Sequence, residues 1–178
     1  MATPEEMHTL TQRALAHFVA GTTDQAPAIM TNPVAAYTDP VRYRREVDGL
    51  FLHLPLALAL SIELPEAHTY RAMQVLGVPV LLLRGGDGEV RAFLNVCRHR
   101  GARLCEPGAG SARVITCPYH AWAYDDRGSL VSRYGAQTFG QLDHATRGLT
   151  PLACAERVGL VWVCLTPGEA PDVDAWLG

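Results

Sequence analysis

Two hydrophobic periods divide the chain near residue 54. Before it, apolar residues recur at helical spacing, and Met7, Leu10, Ala14, Leu15 and Phe18 fall on one face. Thr3-Pro4-Glu5-Glu6 opens that helix with a capping Thr, a Pro at the first helical position and a Glu three residues after the cap. Gly21 offers a stop. Residues 22–32 are polar and carry Pro27, so they read as a linker. Asp39-Pro40 begins a second helix that runs to Leu50, with Val41, Val47, Leu50 and Phe51 on one side. The apolar face of the first helix calls for a partner, either the domain body or a neighbouring subunit.

From Leu54 the period becomes two. Leu56, Leu58 and Leu60 alternate with small residues and predict a strand. Residues 69–76 and 78–84 predict two more, Gly85-Gly86-Asp87-Gly88 a hairpin turn, and 90–94 the return strand. The glycines of that turn are no phosphate cradle, because no helix follows to offer N-terminal amides. Short strands over 112–116 and 122–124, a turn at Asp125-Asp126-Arg127-Gly128, and strands over 152–155 and 158–165 complete the pattern. The last is rich in Val, Leu and Trp, as a buried strand requires. Residues 135–148 read as irregular and polar. Close-spaced short strands with turn signals predict a mainly β fold, an antiparallel sandwich or barrel preceded by α-helices. The expected division is a helical extension at 1–45, a β domain at 46–166 and an exit linker at 167–178, with Trp176 as an anchor.

Composition fits one globular domain with extensions: 178 residues, 48% apolar and 19% charged. A net charge of −3 gives no reason to expect nucleic acid or an anionic membrane as partner. The N-terminus lacks the basic start and unbroken apolar run of a signal peptide. The most apolar window, 50–60, is interrupted by His53 and Pro55 and is too short to span a bilayer. Cys105, Cys154 and Cys164 suggest no disulfide framework, so a reducing cytoplasm is the expected location.

Candidate chemistry concentrates in residues 95–124, N-V-C-R-H-R-G-A-R-L-C-E-P-G-A-G-S-A-R-V-I-T-C-P-Y-H-A-W-A-Y. Cys97-x-His99 and Cys117-x-x-His120 are separated by seventeen residues, and each half-site offers one thiolate and one imidazole. That set suits an asymmetric two-iron cluster, with two Cys on one iron and two His on the other. Neutral imidazoles remove negative charge from the second iron and raise its potential. The alternative is tetrahedral zinc, whose half-sites usually pair like ligands at wider spacing. A chance juxtaposition of buried thiols and imidazoles is the third reading. His8, His17, His53, His68 and His144 lack partners at ligand spacing and read as solvated or interfacial groups.

N-V-C-R-H-R-G-A-R-L followed by C-P-Y-H-A-W-A-Y-D-D-R-G-S-L resembles the Rieske domain of ring-hydroxylating oxygenase α subunits, which read close to N-x-C-x-H-R-G and C-P-Y-H-G-W. The resemblance covers the N-terminal helices and the cluster domain. It implies a Rieske-type [2Fe–2S] cluster held by Cys97, His99, Cys117 and His120. Ala121 stands where the family normally has Gly, and its methyl group would crowd a backbone that needs φ > 0. Respiratory-type Rieske proteins carry an extra cysteine in each loop; the matching positions here are Ala102 and Tyr119, so that bridge is absent.

By this resemblance the chain relays single electrons from a reductase or ferredoxin to the mononuclear iron of an oxygenase catalytic domain or subunit. After His120 only His144 remains as a histidine, so no two-His-one-carboxylate iron site is expected in the chain itself. Family members tend to form homo-oligomers. The runner-up is a stand-alone Rieske ferredoxin for another oxidoreductase, weakened by the N-terminal extension; the third is a zinc-stabilised binding module. Arg98 and Arg100 are placed to favour a reduced cluster, or else are solvated or paired elsewhere. Tyr119 and Trp122 are expected to cover the site. Redox-linked protons on the two imidazoles imply a pH-dependent potential.

Overall fold

In the computed structural model, which describes residues 2–135, 137, 142–169 and 172–178, the strand Val78–Arg84 is apolar along both faces, and a core forms against each. The chain divides into one unit up to Tyr43 and a second from Arg44 to Leu177.

The first unit is helical, and its last helix continues along the chain into the second. Helix α1 (Pro4–Ala20) carries the expected capping box: the Glu6 N–H donates to Thr3 Oγ1 at 3.2 Å, and the Thr3 N–H donates to the Glu6 carboxylate at 2.6 Å. Gly21 closes the helix at φ 61°. A one-turn helix, α2 (Ala35–Thr38), follows where no periodicity announced it. Helix α3 (Pro40–Glu46) starts where Asp39 accepts the Val41 N–H at 2.8 Å. It continues as a π-helical turn over Val47–Phe51, so the second expected helix is present but changes its winding near Gly49.

Among its described residues the second unit contains eleven short strands: β1 (Leu56–Leu60), β2 (Thr69–Val75), β3 (Val78–Arg84), β4 (Val90–Leu94), β5 (Gly108–Ser111), β6 (Ile115–Thr116), β7 (Ala123–Tyr124), β8 (Leu130–Ser132), β9 (Pro151–Leu152), β10 (Cys154–Arg157) and β11 (Leu160–Val163). They form three antiparallel sheets, ordered β1-β11-β10, β5-β2-β3-β4-β9 and β6-β7-β8. Successive side chains of a strand point to opposite faces. Leu81, paired with Phe93 of β4, therefore faces a core shared with Ile115, Trp122, Tyr124 and Leu130. Val80 and Leu82 face the other core, with Leu152, Val161 and Val163. The expected mainly β fold of antiparallel sheets preceded by α-helices is observed, and of the two expected forms, sandwich or barrel, the sheets are open and packed through two cores.

Several details differ from the expected pattern. The strand expected at 152–155 is split into β9 of the central sheet and β10 of the outer one. A bulge between Ala57 and Ala59 shifts β1, burying Ala59 and leaving Leu60 half exposed; Leu56, Leu58 and Leu60 do not share a face. The strand expected at 112–116 is reduced to β6 (Ile115–Thr116), and a strand that was not expected, β5, precedes it at Gly108–Ser111. In β5, Gly110 lies so close to Tyr70 that a Cβ would stand 2.6 Å from its hydroxyl. Val158 and Gly159 are the left-handed corner of the β10–β11 hairpin, at φ 50° and 77°. The expected exit linker contains a short helix, α4 (Val173–Leu177), tied to β10 by Arg157 and Asp174 at 2.6 Å. Its residues 170 and 171 lie outside the described residues. So do 136 and 138–141 of the expected irregular stretch, which ends in a single 3-10 turn at His144–Arg147.

The hairpin turns at 85–88 and 125–128 are joined to each other. Asp126 accepts the Gly86 N–H at 2.7 Å, and Asp87 holds both Arg91 and Arg127 at 2.7 and 2.8 Å. Gly128 sits at φ 77° under the Phe93 ring, where a Cβ would approach a ring carbon to 2.5 Å.

A candidate cluster site at two matched loops

Cys97 and Cys117 each begin a loop with the same backbone plan. In the first, the Cys97 N–H donates to the Ala102 carbonyl at 2.8 Å, and the Cys97 carbonyl accepts the Gly101 N–H at 3.0 Å. In the second, the Cys117 N–H donates to the Trp122 carbonyl at 2.7 Å, and the Cys117 carbonyl accepts the Ala121 N–H at 3.0 Å. The residue four past each cysteine takes a left-handed conformation: Gly101 at φ 74° and Ala121 at φ 51°. The sequence-based concern about Ala121 is therefore met by a real positive φ.

The four residues picked out by spacing come together as two like pairs. Cys97 and Cys117 are both buried in the core under β3, with their sulfurs near enough to interact. The His99 and His120 rings meet edge-on, with centroids 4.9 Å apart. His99 also stacks on buried Trp122 at 4.8 Å, and the exposed Tyr119 ring lies 3.8 Å from His120. Among the described residues, no three His, Cys, Asp or Glu side chains converge on a point suited to a single metal ion. A lone zinc would need all four ligands at one point, whereas a two-iron cluster takes two from the protein at each iron.

Electrostatics sharpen the fit. Burial chiefly pushes the Cys97 thiol up, with the Cys117 sulfur adding to the rise and Tyr124 opposing it. Two buried thiolates side by side need a cation, which ferric iron supplies. Burial, then His120 and Arg100, hold His99 below the usual imidazole range, favouring the neutral form that ligates metal. His120 Nδ1 is buried and has no hydrogen-bond partner within the protein. Such an orphan is rare in a native core and is relieved by a metal bond. Arg98 and Arg100 are exposed, and no other described residue forms an ion pair with either.

Sequence reasoning missed one member of the site. Tyr124 is buried, its hydroxyl oxygen accepts the Arg98 N–H at 3.0 Å, and it lies 3.4 Å from Cys97 Sγ. Burial, and next to it Cys97, raises the phenol above its ordinary range, so it remains a proton donor. A lone Tyr two residues past a Trp has no spacing signal of its own; the pairing across β7 makes it part of the site.

The other histidines go elsewhere. His8 meets Gln12, His17 pairs with Asp24, His53 with Glu169, and His144 bonds the Leu130 carbonyl; His68 lies 3.5 Å from Asp126. None joins the paired cysteines.

Two matched loops on a β sandwich, presenting a thiol pair and an imidazole pair, define an iron–sulfur protein of the mixed-ligand kind. Residues 55–141 match the family model of the Rieske [2Fe–2S] domain. The chain is 34% identical to the glycine betaine monooxygenase oxygenase subunit of Chromohalobacter salexigens over 146 residues, 82% of this chain and 32% of that protein. It is 36% identical to the biphenyl 2,3-dioxygenase subunit alpha of Rhodococcus jostii over 143 residues, 80% of this chain and 31% of that one. The naphthalene 1,2-dioxygenase structure from Rhodococcus sp. superposes with a TM-score of 0.75 at 30% identity, covering 100% of this chain and 39% of the other. The chain thus carries a Rieske domain, takes a Rieske-type [2Fe–2S] cluster, and resembles the N-terminal part of Rieske oxygenase alpha subunits. It spans about a third of the length of these curated relatives. Among the described residues, no helix is long and apolar enough to cross a membrane.

Proposed function

We propose that Cys97 and Cys117 hold one iron, that His99 and His120 hold the other, and that residues 46–166 serve as a one-electron relay. On this reading the donor is a reductase or ferredoxin, and the acceptor is an oxygenase iron centre in a catalytic domain or partner subunit. The observation that carries the proposal is the buried, partnerless Nδ1 of His120 beside His99, with the paired sulfurs in the core. When bound, the cluster supplies a one-electron couple. The protein's own residues do the rest. Trp122 and the β sandwich keep water from the sulfurs, Tyr124 donates toward Cys97, and the imidazole pair offers the way in and out for the electron.

The naphthalene dioxygenase match extends over the N-terminal helices as well, which supports an oxygenase component over a stand-alone ferredoxin. Assembly with further copies or subunits, and a cytoplasmic setting suited to three thiols left unbridged at Cys105, Cys154 and Cys164, belong to the same reading. Single alanine substitutions test the ligands. C97A, H99A, C117A and H120A should each lose bound iron and labile sulfide, while H144A and H53A keep both. Full iron and sulfide in H120A would overturn the assignment.

A further inference from the structure

Asn95 is the one buried polar residue among the described residues, 2% exposed in a region where its neighbours are apolar. A buried carboxamide is stable only when its donor and acceptor are satisfied. Both of Asn95's bonds go to one residue ten positions along the chain. Its Nδ2 donates to the Cys105 carbonyl at 2.7 Å, and its Oδ1 accepts the Cys105 N–H at 3.0 Å. The orientation of the amide is fixed by this pairing, since the reverse would set donor against donor and acceptor against acceptor.

The backbone of the first loop explains why a side chain is used. Its rungs run outward from the turn, through Cys97 N–H to the Ala102 carbonyl and the Val96–Arg103 bridge. Continued in register, that ladder would set residue 95 opposite residue 104; the Asn95 side chain instead reaches Cys105, one residue further along. The Asn95 N–H is already committed, donating to the Pro79 carbonyl at 2.9 Å and extending the β3–β4 pairing. One residue therefore belongs to the central sheet through its backbone and to the loop through its side chain.

We propose that Asn95 is the positioning residue of the first loop. Its carboxamide stands in for a peptide group as the last rung of the loop, registers that loop on the central sheet, and so sets the place at which Cys97 and His99 are presented. This rests on the ligand assignment above. Asn95 touches neither iron nor sulfur in this account; it acts through the loop.

The test uses the full chain with its cluster and compares N95L, which keeps the side-chain size but removes both bonds, with V163A, a truncation in the opposite core. N95S is the milder substitution, and it replaces N95L if circular dichroism shows that N95L does not fold. For variants with matched loss of melting temperature, Asn95 substitution should release iron to a chelator about ten- to a hundredfold faster than V163A. It should also shift the g-values of the reduced cluster and its potential. Release rate, g-values and potential all equal to those of V163A would overturn the proposal. Amide hydrogen exchange on the metal-free proteins separates this from a failure of the cluster reading. If wild-type protein itself binds no two-iron cluster, the proposed function falls. Faster exchange across residues 96–105 in N95L than in V163A then still supports the clamp, and equal exchange overturns it.

Discussion

Ala121 bears a Cβ at the position where the matched loop has Gly101, and both residues sit at positive φ. The left-handed conformation costs an L-residue roughly 1–2 kcal/mol, partly offset in glycine by its greater unfolded-state entropy. The Ala121 methyl is on the exposed side, so it contributes little packing in return. A121G should therefore stabilise the protein by about 0.5–1 kcal/mol. Thermal melting checks this, and a lower melting point would mean that the methyl makes a contact needed by the loop. Tyr124 makes the second residue-scale case. Its oxygen is occupied by the Arg98 N–H, so its proton is free to point at Cys97 Sγ. Hydrogen bonds to cluster sulfurs favour the more negative, reduced state. Y124F should lower the reduction potential while leaving iron content unchanged; redox titration of the two proteins decides it.

At the scale of elements, the β10–β11 hairpin turns through Val158 and Gly159, both left-handed. Two-residue turns of this hand favour Asn-Gly, and a β-branched residue is the poorest choice for the first position. Val158 is 77% exposed, so its replacement removes no core contact. V158N should stabilise by about 1 kcal/mol, worth roughly 2–4 °C in melting temperature for a chain of this size. The same turn shows why element boundaries were only partly legible. Val-Gly carries no turn signature, so Val158 read as strand. Gly108–Ser111 has no apolar alternation at all, and becomes a strand only because glycine at 110 lets the Tyr70 ring lie across it. The capping box at Thr3, the Gly21 stop and the unbroken apolar run of β3 were legible because each depends on residues a few positions apart. The bulge in β1 depends on pairing with β11, a hundred residues away, and left no local trace.

At the scale of the molecule, the outer sheet β1-β11-β10 is held to the central one by a polar tie as well as by its core. Arg84 at the end of β3 bonds Glu156 of β10 through both terminal guanidinium nitrogens, at 2.8 and 3.1 Å, in a partly buried pair. Arg84, and then Ser61, lowers the Glu156 carboxyl below its ordinary range. A lowered carboxylate contributes stability that is complete above its unfolded pKa and is lost as pH falls through the folded one. E156Q should cost about 1–2 kcal/mol near neutral pH. The gap between its melting point and that of wild type should close as pH drops below about 4. A gap that stays constant with pH would assign the loss to packing.

The site was more legible than the fold around it. Cys97, His99, Cys117 and His120 are close in sequence within each loop, and their chemistry is written in residue type and spacing. Tyr124 and Asn95 act through pairing across the fold, and spacing alone did not disclose their roles. With the chain alone, one electron per molecule should be taken up on reduction, and the uptake should vanish in C117A. The most direct test of the central claim is a low-temperature electron paramagnetic resonance spectrum of the dithionite-reduced chain, with iron, zinc and labile sulfide counted on the same sample. A mixed-ligand cluster gives a rhombic signal of low average g, with about two irons and two sulfides per chain. A silent sample holding one zinc and no sulfide would contradict that claim.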